Sequence, residues 1–393
     1  MHEEFTPTAR RRSGVVLVYV AIVMVAMMAF TSLAVDLGRY EVAHSQLYDA
    51  ALAASRAGAL SMSQSGSTAA GVTTAATTVA TGNTVDGQAI TSGMVAVTFV
   101  NWNSSTRTGT AVLTSNYSQA NAVSVSITYT VPTVFAQVLG LTGKAATEYS
   151  TTEYIQSIDN PYVIATGNPW LAGEPTGTTA SQPDPNWKAS PVNPEHRYKY
   201  DIAGPVGKNT NGGTATQSTY ASYEPYSSPV QVSFTVTPGS TITLTNASGA
   251  SYIDYDNTWS DNADGTSGTS QLWCQDDAKS NGVSEHGIAD VTAPTGSIIG
   301  VFLGSGLPDS ISSPPTPLSF STQTAMDYIS MSPLLQQPFY FGNGQTSGGT
   351  QQQIVVPANA TRLFMGILDG WEWNNNAGGF NCTVTQTMIV TVK

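Results

Sequence analysis

The sequence predicts a mainly β protein that begins with a transmembrane helix and a small α+β region and ends in a jelly-roll-type β-sandwich. Three observations support this fold class. An uncharged apolar run covers residues 15–35, alternating apolar and polar side chains follow at residues 94–131, and many short strand-like runs fill residues 230–393. Alternation with period two is typical of half-buried strands, and many short strands without strong helix patterns are typical of sandwiches.

The apolar run at residues 15–35 is long enough to cross a bilayer. At about 1.5 Å of helix rise per residue it covers roughly the 30 Å hydrocarbon core, whereas the apolar part of a signal peptide usually has about 7–15 residues. Three arginines at 10–12 precede it and Asp36 follows it. The positive-inside rule therefore keeps a short arm, residues 1–14, in the bacterial cytoplasm and exports the rest to the periplasm or cell surface. The competing interpretation is a long signal peptide cleaved after Ala34.

Composition argues against a nucleic-acid partner. The net charge is −12 and only 10% of the residues are charged, so no basic stripe could neutralise phosphates. The four histidines are scattered and form no catalytic grouping, so we predict that the protein is not an enzyme. Its two cysteines, Cys274 and Cys382, either form one bridge in an oxidising compartment or remain two buried free thiols.

A helical period continues beyond the membrane run. Apolar and small residues from Leu37 to Ala57 recur three or four apart, up to Gly58. We therefore expect the membrane helix to continue as one rod past the bilayer surface. Its alanine stripe either packs closely on another helix or docks on its own domain. Residues 61–93 are rich in Ser, Thr, Ala and Gly, which favours a short helix extension and then a loop.

Strand alternation follows at residues 94–103, 108–115 and 122–131, and turn-forming clusters separate these runs. They predict a small antiparallel sheet. Pro132 marks a predicted helix start, and residues 146–155 form another strand-like run.

This region is similar to a known family. The arginine-flanked apolar helix leads into AVDLGRYEVAHSQLYDAALAASRAGA, and the sheet ends in AVSVSITYTVPTVFAQVLGLTGKAATEYSTTEY. Together they resemble the N-terminal region of TadG-type proteins of the Tad (Flp) pilus-assembly system, over about residues 8–155. The resemblance implies a single-pass membrane protein with other Tad pilus proteins among its partners, and we draw this region of the chain at residues 36–155.

Residues 156–229 are rich in proline. One interpretation is a long flexible linker. The aromatic residues Tyr162, Trp170, Trp187 and Tyr198 favour instead an irregular segment, opened by a strand near residues 162–166, that packs on the following sandwich.

Strand signals resume in residues 230–393. The loop at residues 368–380 carries the chemistry of this region, because Asp369, Asn375 and Asn376 supply a carboxylate and two amide oxygens close together. Ca²⁺ takes roughly 6–8 oxygen ligands of this kind. The alternative is a plain Asn/Gly hairpin loop without an ion, since turns need the same residue types.

Two segments of this region, PGSTITLTNASGASY (238–252) and LDGWEWNNNAGGFNCTV (368–384), resemble the calcium-forming segments of the PA-I galactophilic lectin family. The resemblance implies a Ca²⁺ cofactor, with backbone carbonyls from Tyr252 and from Trp373 or a neighbour, and side-chain oxygens from Asp369, Asn375 and Asn376.

In that family the ion also binds two vicinal sugar hydroxyls and a histidine contacts the sugar. The resemblance therefore implies an extracellular or cell-surface carbohydrate partner, with a sugar site of Asp369, Asn375, Asn376 and His286. Two departures stand out: the spacing from Asp to Asn-Asn is one residue shorter here, and a large insertion separates Tyr252 from His286.

The insertion includes the acidic sequence DYDNTWSDNADG at residues 254–265. It lacks the ligand order and the terminal glutamate of an EF-hand, so we predict a solvated acidic loop rather than a second calcium site.

These patterns lead to one interpretation and one rival. The first is a membrane-tethered, exported TadG-like pilus-assembly or cell-surface protein with a calcium-dependent carbohydrate-binding module for adhesion. The rival is a structural pilus or envelope assembly component whose β-sandwich binds protein only.

Overall fold

The computed structural model of the chain describes residues 13–64, 66–176, 178, 228–253, 260–265, 272–274, 286–310, 313–369, 373 and 376–392. The chain forms two compact units, Met1–Tyr154 together with Ile389–Lys393, and Ile155–Met388. The predicted mainly β fold behind an N-terminal apolar helix is confirmed.

The first unit begins with a 50-residue helix, α1, which covers Ser13–Met62. The predicted continuous rod is therefore confirmed. Val16 is 60% exposed and Phe30 73%. The described parts of the chain bury none of the most apolar stretch of this helix. A core helix of a soluble domain would be covered, so length, composition and exposure indicate a single-pass membrane anchor.

The later part of α1 buries an alanine-rich face. Ala43, Leu47, Ala50 and Ala54 are fully buried in a core that also contains side chains from the rest of the first unit. Small side chains allow a close approach of the packed elements. The structure thus supports the second alternative for the alanine stripe, docking on its own domain.

A second helix, α2, covers Ala69–Thr81, where the sequence predicted a short helix extension and then a loop. The Thr68 hydroxyl accepts a hydrogen bond from the first turn and caps the helix. Val72, Ala76 and Ala80 lie four residues apart and are fully buried. The loop prediction was wrong because this apolar face is narrow and the remaining threonines, which are poor helix formers, hide its period.

The predicted antiparallel sheet of the first unit is confirmed, and its strand order is β4-β3-β5-β6. A short hairpin of β1 and β2 precedes it. Their bounds are β1 (Thr84–Val85), β2 (Gln88–Ala89), β3 (Val95–Asn103), β4 (Thr108–Val112), β5 (Ala122–Pro132) and β6 (Gly143–Asp159).

The helix predicted to start near Pro132 is only one 3-10 turn, Ala136–Leu139. β5 includes Pro132, and the turn ends at Gly140, whose φ of +83° is left-handed. Glycine adopts this conformation without a steric penalty, and a left-handed residue commonly terminates helices.

The second unit contains twelve described strands and one short helix. Their bounds are β7 (Tyr162–Ile164), β8 (Val230–Gln231), β9 (Thr241–Tyr252), β10 (Leu272–Cys274), β11 (Val291–Pro294), β12 (Ile298–Leu303), β13 (Leu318–Ser319), α3 (Gln323–Met326), β14 (Ser330–Met331), β15 (Phe339–Tyr340), β16 (Gln353–Val355), β17 (Arg362–Ile367) and β18 (Ala377–Thr391).

Two sets of paired strands enclose one hydrophobic core in this unit. One has the order β14-β16-β9-β18, with β7 also paired to β18, and the other has the order β15-β12-β17-β8. All six residues of β12 are buried. Phe302 from one set and Phe380 from the other are fully buried in the same core. Burying one such side chain contributes about 1.5–3 kcal/mol, so the core holds the strands together as a sandwich.

The described beginning of the Pro-rich segment packs into the same core. β7 pairs with β18, and a 3-10 turn at Pro169–Leu171 buries Trp170 completely. The Trp170 indole Nε1 donates to the Ala289 carbonyl at 3.0 Å. This hydrogen bond satisfies the one polar group of the buried indole. Trp187 and Tyr198 lie outside the described residues.

Cys382 is a free, buried thiol, and burial raises its pKa to about 12. Of the two alternatives for the cysteines, the structure therefore shows a free thiol at this position. The side chain of Cys274 lies outside the described part of the chain.

Candidate functional site

The end of β9 meets the start of β18 at one end of the sandwich. Tyr252 is paired with Ala377, and Ser251 with Gly378, in the last two steps of this antiparallel ladder. The pairing places Tyr252 beside Asn376, the residue that precedes β18. Two of the predicted calcium ligands, 124 positions apart in sequence, are thus brought together by strand register.

Glycine is required where β18 starts. Gly378 has a φ of +79°, and a Cβ on it would overlap the Ala250 carbonyl oxygen. Gly379 has a φ of +150°, and a Cβ there would overlap the Val163 carbonyl oxygen. Only glycine allows β18 to lie this close to the strands on both sides.

The direction of the Tyr252 carbonyl follows from its neighbour. Ser251 exchanges backbone hydrogen bonds with Asp261, at 3.2 and 2.8 Å. Backbone groups of successive strand residues point to opposite sides, so the N–H and C=O of Tyr252 point towards β18. The carbonyl predicted to bind calcium therefore faces Ala377.

Asp369 reaches the same end of the sandwich from β17. The preceding residue, Leu368, donates its N–H to Ser297 at 2.9 Å and accepts the N–H of Gly296 at 2.8 Å. The Ser251 hydroxyl donates to the Gly296 carbonyl at 3.1 Å. The turn at Gly296 thus contacts the neighbours of both Asp369 and Tyr252. We name this end of the sandwich, with Tyr252, Gly296, Asp369 and Asn376, the Asp369 end.

Trp373 and Asn376 complete the described part of the Asp369 end. The buried Trp373 indole Nε1 donates to the Ile367 carbonyl at 2.7 Å, and the ring packs edge-on against Trp170 at 5.6 Å between centroids. The Trp373 carbonyl accepts the N–H of Asn376 at 3.2 Å. Asn375 lies outside the described residues.

The side chain of Asn376 has one satisfied group and one unsatisfied group. Its Nδ2 donates to the Ala165 carbonyl at 3.2 Å. Its Oδ1 is buried and has no hydrogen-bond partner among the residues that the structure describes. A buried acceptor without a donor costs about 1–3 kcal/mol, and a bound cation would remove this cost. Asn376 and Asp369 are each 6% exposed.

His286 lies at the opposite end of the sandwich. The carbonyl of its neighbour Gly287 accepts a hydrogen bond from the Gln336 side chain, and the Gln336 N–H donates to Phe302 near the end of β12. Asp369 instead follows residues paired with the beginning of β12. Six residues at about 3.3 Å each separate these positions by roughly 20 Å. The structure therefore does not bring His286 to the calcium loop, and the implied sugar contact of His286 stays a prediction.

His286 belongs to a different cluster, which we name the His286 end. Its Nδ1 lies 3.5 Å from Oδ2 of Asp309, and one oxygen of Glu174 lies within 4.8 Å of both ligand atoms. Burial raises the pKa of Glu174, the charge of Asp309 raises it further, and His286 lowers it. One imidazole and two carboxylates at this separation are a donor set that divalent metals can use. The sequence offered no signal for this cluster, since its members are far apart.

The acidic sequence at residues 254–265 is not a wholly solvated loop. Asp261 is buried. Asp264 accepts hydrogen bonds from the N–H and the side chain of Asn343, at 2.7 and 2.9 Å, and from the Tyr340 hydroxyl at 3.1 Å. The prediction of a solvated loop is therefore wrong at these two positions, because Asp261 is buried and the Asp264 carboxylate binds the sandwich. Asp254 and Asp256 lie outside the described residues.

One comparison with known proteins bears on this chain. Residues 57–149 match the Tad_C family model, described as Tad-like Flp pilus-assembly. The match covers about a quarter of the chain and includes α2 and the first five strands of the first unit. A Tad-like, pilus-related first unit is thereby supported. No curated protein matches the chain.

Proposed function

We propose that this chain is a membrane-tethered, exported component of a Tad-like pilus-assembly or cell-surface system. The exposed apolar half of α1 supports the tether, and the arginines at 10–12 support export of the remainder. The similarity of residues 57–149 to Tad-like Flp pilus-assembly proteins supports the assembly role and other Tad proteins as partners. On this proposal the chain acts by binding and not by catalysis.

The second part of the proposal is that the Asp369 end binds Ca²⁺ and, through it, carbohydrate. The observation that carries it is the buried Oδ1 of Asn376, which has no hydrogen-bond partner among the described residues, beside the pairing of Tyr252 with Ala377. The donors proposed are the side chains of Asp369, Asn375 and Asn376 with nearby carbonyls, all of them oxygens, as Ca²⁺ prefers. His286 has no role in this site.

One observation favours the rival function. Asp369 and Asn376 are almost completely buried, so an ion bound between them would be covered on that side by protein. Such an ion would stabilise the loop without exchanging its water for sugar hydroxyls. The sandwich would then serve as a structural module that binds protein only.

Calorimetry on the full chain in detergent micelles separates these functions. We expect heat of binding with Ca²⁺ alone, and heat with simple sugars only after calcium is present. Asp369→Asn should remove both signals, because it removes the carboxylate charge that faces the cation. The matched control is Asp327→Asn, a half-buried aspartate of the same unit whose carboxylate accepts hydrogen bonds from Ser347.

The outcomes point in different directions. Calcium binding without any sugar binding would select the structural rival. Absence of calcium binding in the wild-type chain would overturn the site itself, while leaving the Tad-like role of the first unit in place.

A further inference from the structure

One loop of the first unit is hydrogen-bonded to α1 immediately after the apolar run of this helix. Asp36, the first charged residue after that run, accepts the backbone N–H groups of Val134 and Ala136, each at 2.8 Å, and of Phe135 at 3.1 Å. Arg39, one turn further along, donates to the Pro132 carbonyl at 3.2 Å. These bonds fix residues 133–142, which we name the Phe135 loop, beside Asp36.

The Phe135 loop exposes large apolar side chains and carries no charge. Val134 is 50% exposed, Phe135 43% and Leu141 60%. No residue from 133 to 142 is charged, and Phe135 is the one aromatic residue among them. Soluble surfaces rarely gather such side chains in one place without a binding partner.

The depth of the loop is set by the helix that carries it. Asp36 follows residue 35 directly, and a helix rises only about 1.5 Å per residue, so the loop lies level with the end of the apolar run. A neighbouring cation suits lipid headgroups: Lys144 is exposed, and its ammonium lies 4.1 Å from the Tyr40 ring centroid. Backbone hydrogen bonds, above all that from Val134, lower the pKa of Asp36, so this carboxylate stays charged at the surface.

We propose that the Phe135 loop is a second membrane contact, which inserts Val134, Phe135 and Leu141 into the interface of the bilayer that α1 spans. The partner is the lipid surface, argued from the continuity of the loop with the exposed apolar face of the helix. A helix alone leaves the first unit free to tilt, whereas a helix and a loop side by side fix its orientation. This inference rests on the proposed tether.

The test uses the full chain in vesicles of phosphatidylethanolamine and phosphatidylglycerol. A polarity-sensitive fluorophore is attached at Phe135→Cys in a Cys274→Ser background, where the remaining thiol, Cys382, is buried. The control position is Leu113→Cys. Leu113 is 72% exposed and begins the turn whose Tyr117 binds Ser67, beyond the far end of α1.

We expect the label at 135 to emit at shorter wavelength and to be quenched several-fold more by lipid-borne quencher than the label at 113, which iodide should quench instead. Equal iodide quenching at both positions would overturn the inference. Protection at 135 without lipid quenching would also overturn it, in favour of a protein contact.

A third label, at Ala26→Cys inside the apolar run, separates the two proposals. Quenching by lipid at 26 but not at 135 would reject only the loop contact. Absence of lipid quenching at 26 would reject the tether on which it rests.

Discussion

The two ends of the sandwich differ in chemistry. The lectin resemblance nevertheless implied that Asp369, from one end, and His286, from the other, belong to a single site. The described residues of the Asp369 end offer only oxygen atoms as metal ligands. The buried amide oxygen of Asn376 has no hydrogen-bond partner within the described chain. The His286 end offers an imidazole and two carboxylates, Glu174 and Asp309. The difference teaches that a linear match can recover the ligands of one loop and still misplace a residue that lies across a large insertion.

The largest expected effect on stability comes from substituting two glycines with positive φ, one at each end. Gly378→Ala and Gly287→Ala place a Cβ at positive φ and against the carbonyl oxygens of Ala250 and Pro308. Each should lower the free energy of unfolding by about 2–4 kcal/mol, measured by urea denaturation. Gly348→Ala, with no close neighbour, should cost almost nothing. Equal stability of all three variants would contradict the described backbone at both ends.

The next effect concerns calcium and should appear at one end only. At about 100 times its dissociation constant a ligand stabilises the fold by about 2.7 kcal/mol, which raises the Tm by several degrees. Thermal unfolding of Asp369→Asn should show no such rise with calcium. A variant that responds to calcium as the wild type does would place the ion elsewhere.

His286→Ala should leave the calcium response unchanged, within about 0.5 kcal/mol, because roughly 20 Å separates the two ends. Sugar affinity, if the calcium-bound chain has any, should also be unchanged in calorimetry. A several-fold loss of sugar affinity would support the sugar contact of His286 that the lectin resemblance implies.

The smallest effect is a pH dependence at the His286 end. The folded-state pKa of Glu174 is raised, so its proton stabilises the fold below the ordinary value of 4.5, and this contribution is lost as pH rises through the folded pKa. Glu174→Gln should therefore be slightly more stable than the wild type at pH 7 and no different near pH 4.

Asp327→Asn should change the stability at pH 7 in the opposite direction. Hydrogen bonds from the Ser347 hydroxyl and N–H lower the pKa of Asp327, so its contribution is present at pH 7 and lost in acid. If both variants shifted the Tm in the same direction at pH 7, the electrostatic account of Glu174 would fail.

Local patterns predicted most of the fold. The charge-free run of α1, the alternation of β3 and β5 and the continuous apolar run of β12 are all visible in the sequence. The helix α2 was missed because its buried face uses only small side chains. The turn after Pro132 is short because it ends at Gly140, whose φ of +83° is left-handed, and the local sequence pattern did not show this.

The candidate site was predictable only in part. Asp369 and Asn376 share one loop, so their composition showed them together. The positions of His286, Glu174 and Asp264 depend on contacts between segments distant in sequence, for which no local pattern exists. Register and packing, not residue type, decide which end of a sandwich each side chain reaches.

Terbium luminescence tests the central claim, that a calcium ion binds at the Asp369 end. Tb³⁺ substitutes for Ca²⁺ and emits when a nearby tryptophan is excited, and Trp373 lies in this loop. We predict tryptophan-sensitised emission from the full chain that calcium competes away and that Asp369→Asn abolishes, while Glu174→Gln leaves it intact. Emission that survives Asp369→Asn but disappears with Glu174→Gln would move the ion to the His286 end and contradict the account.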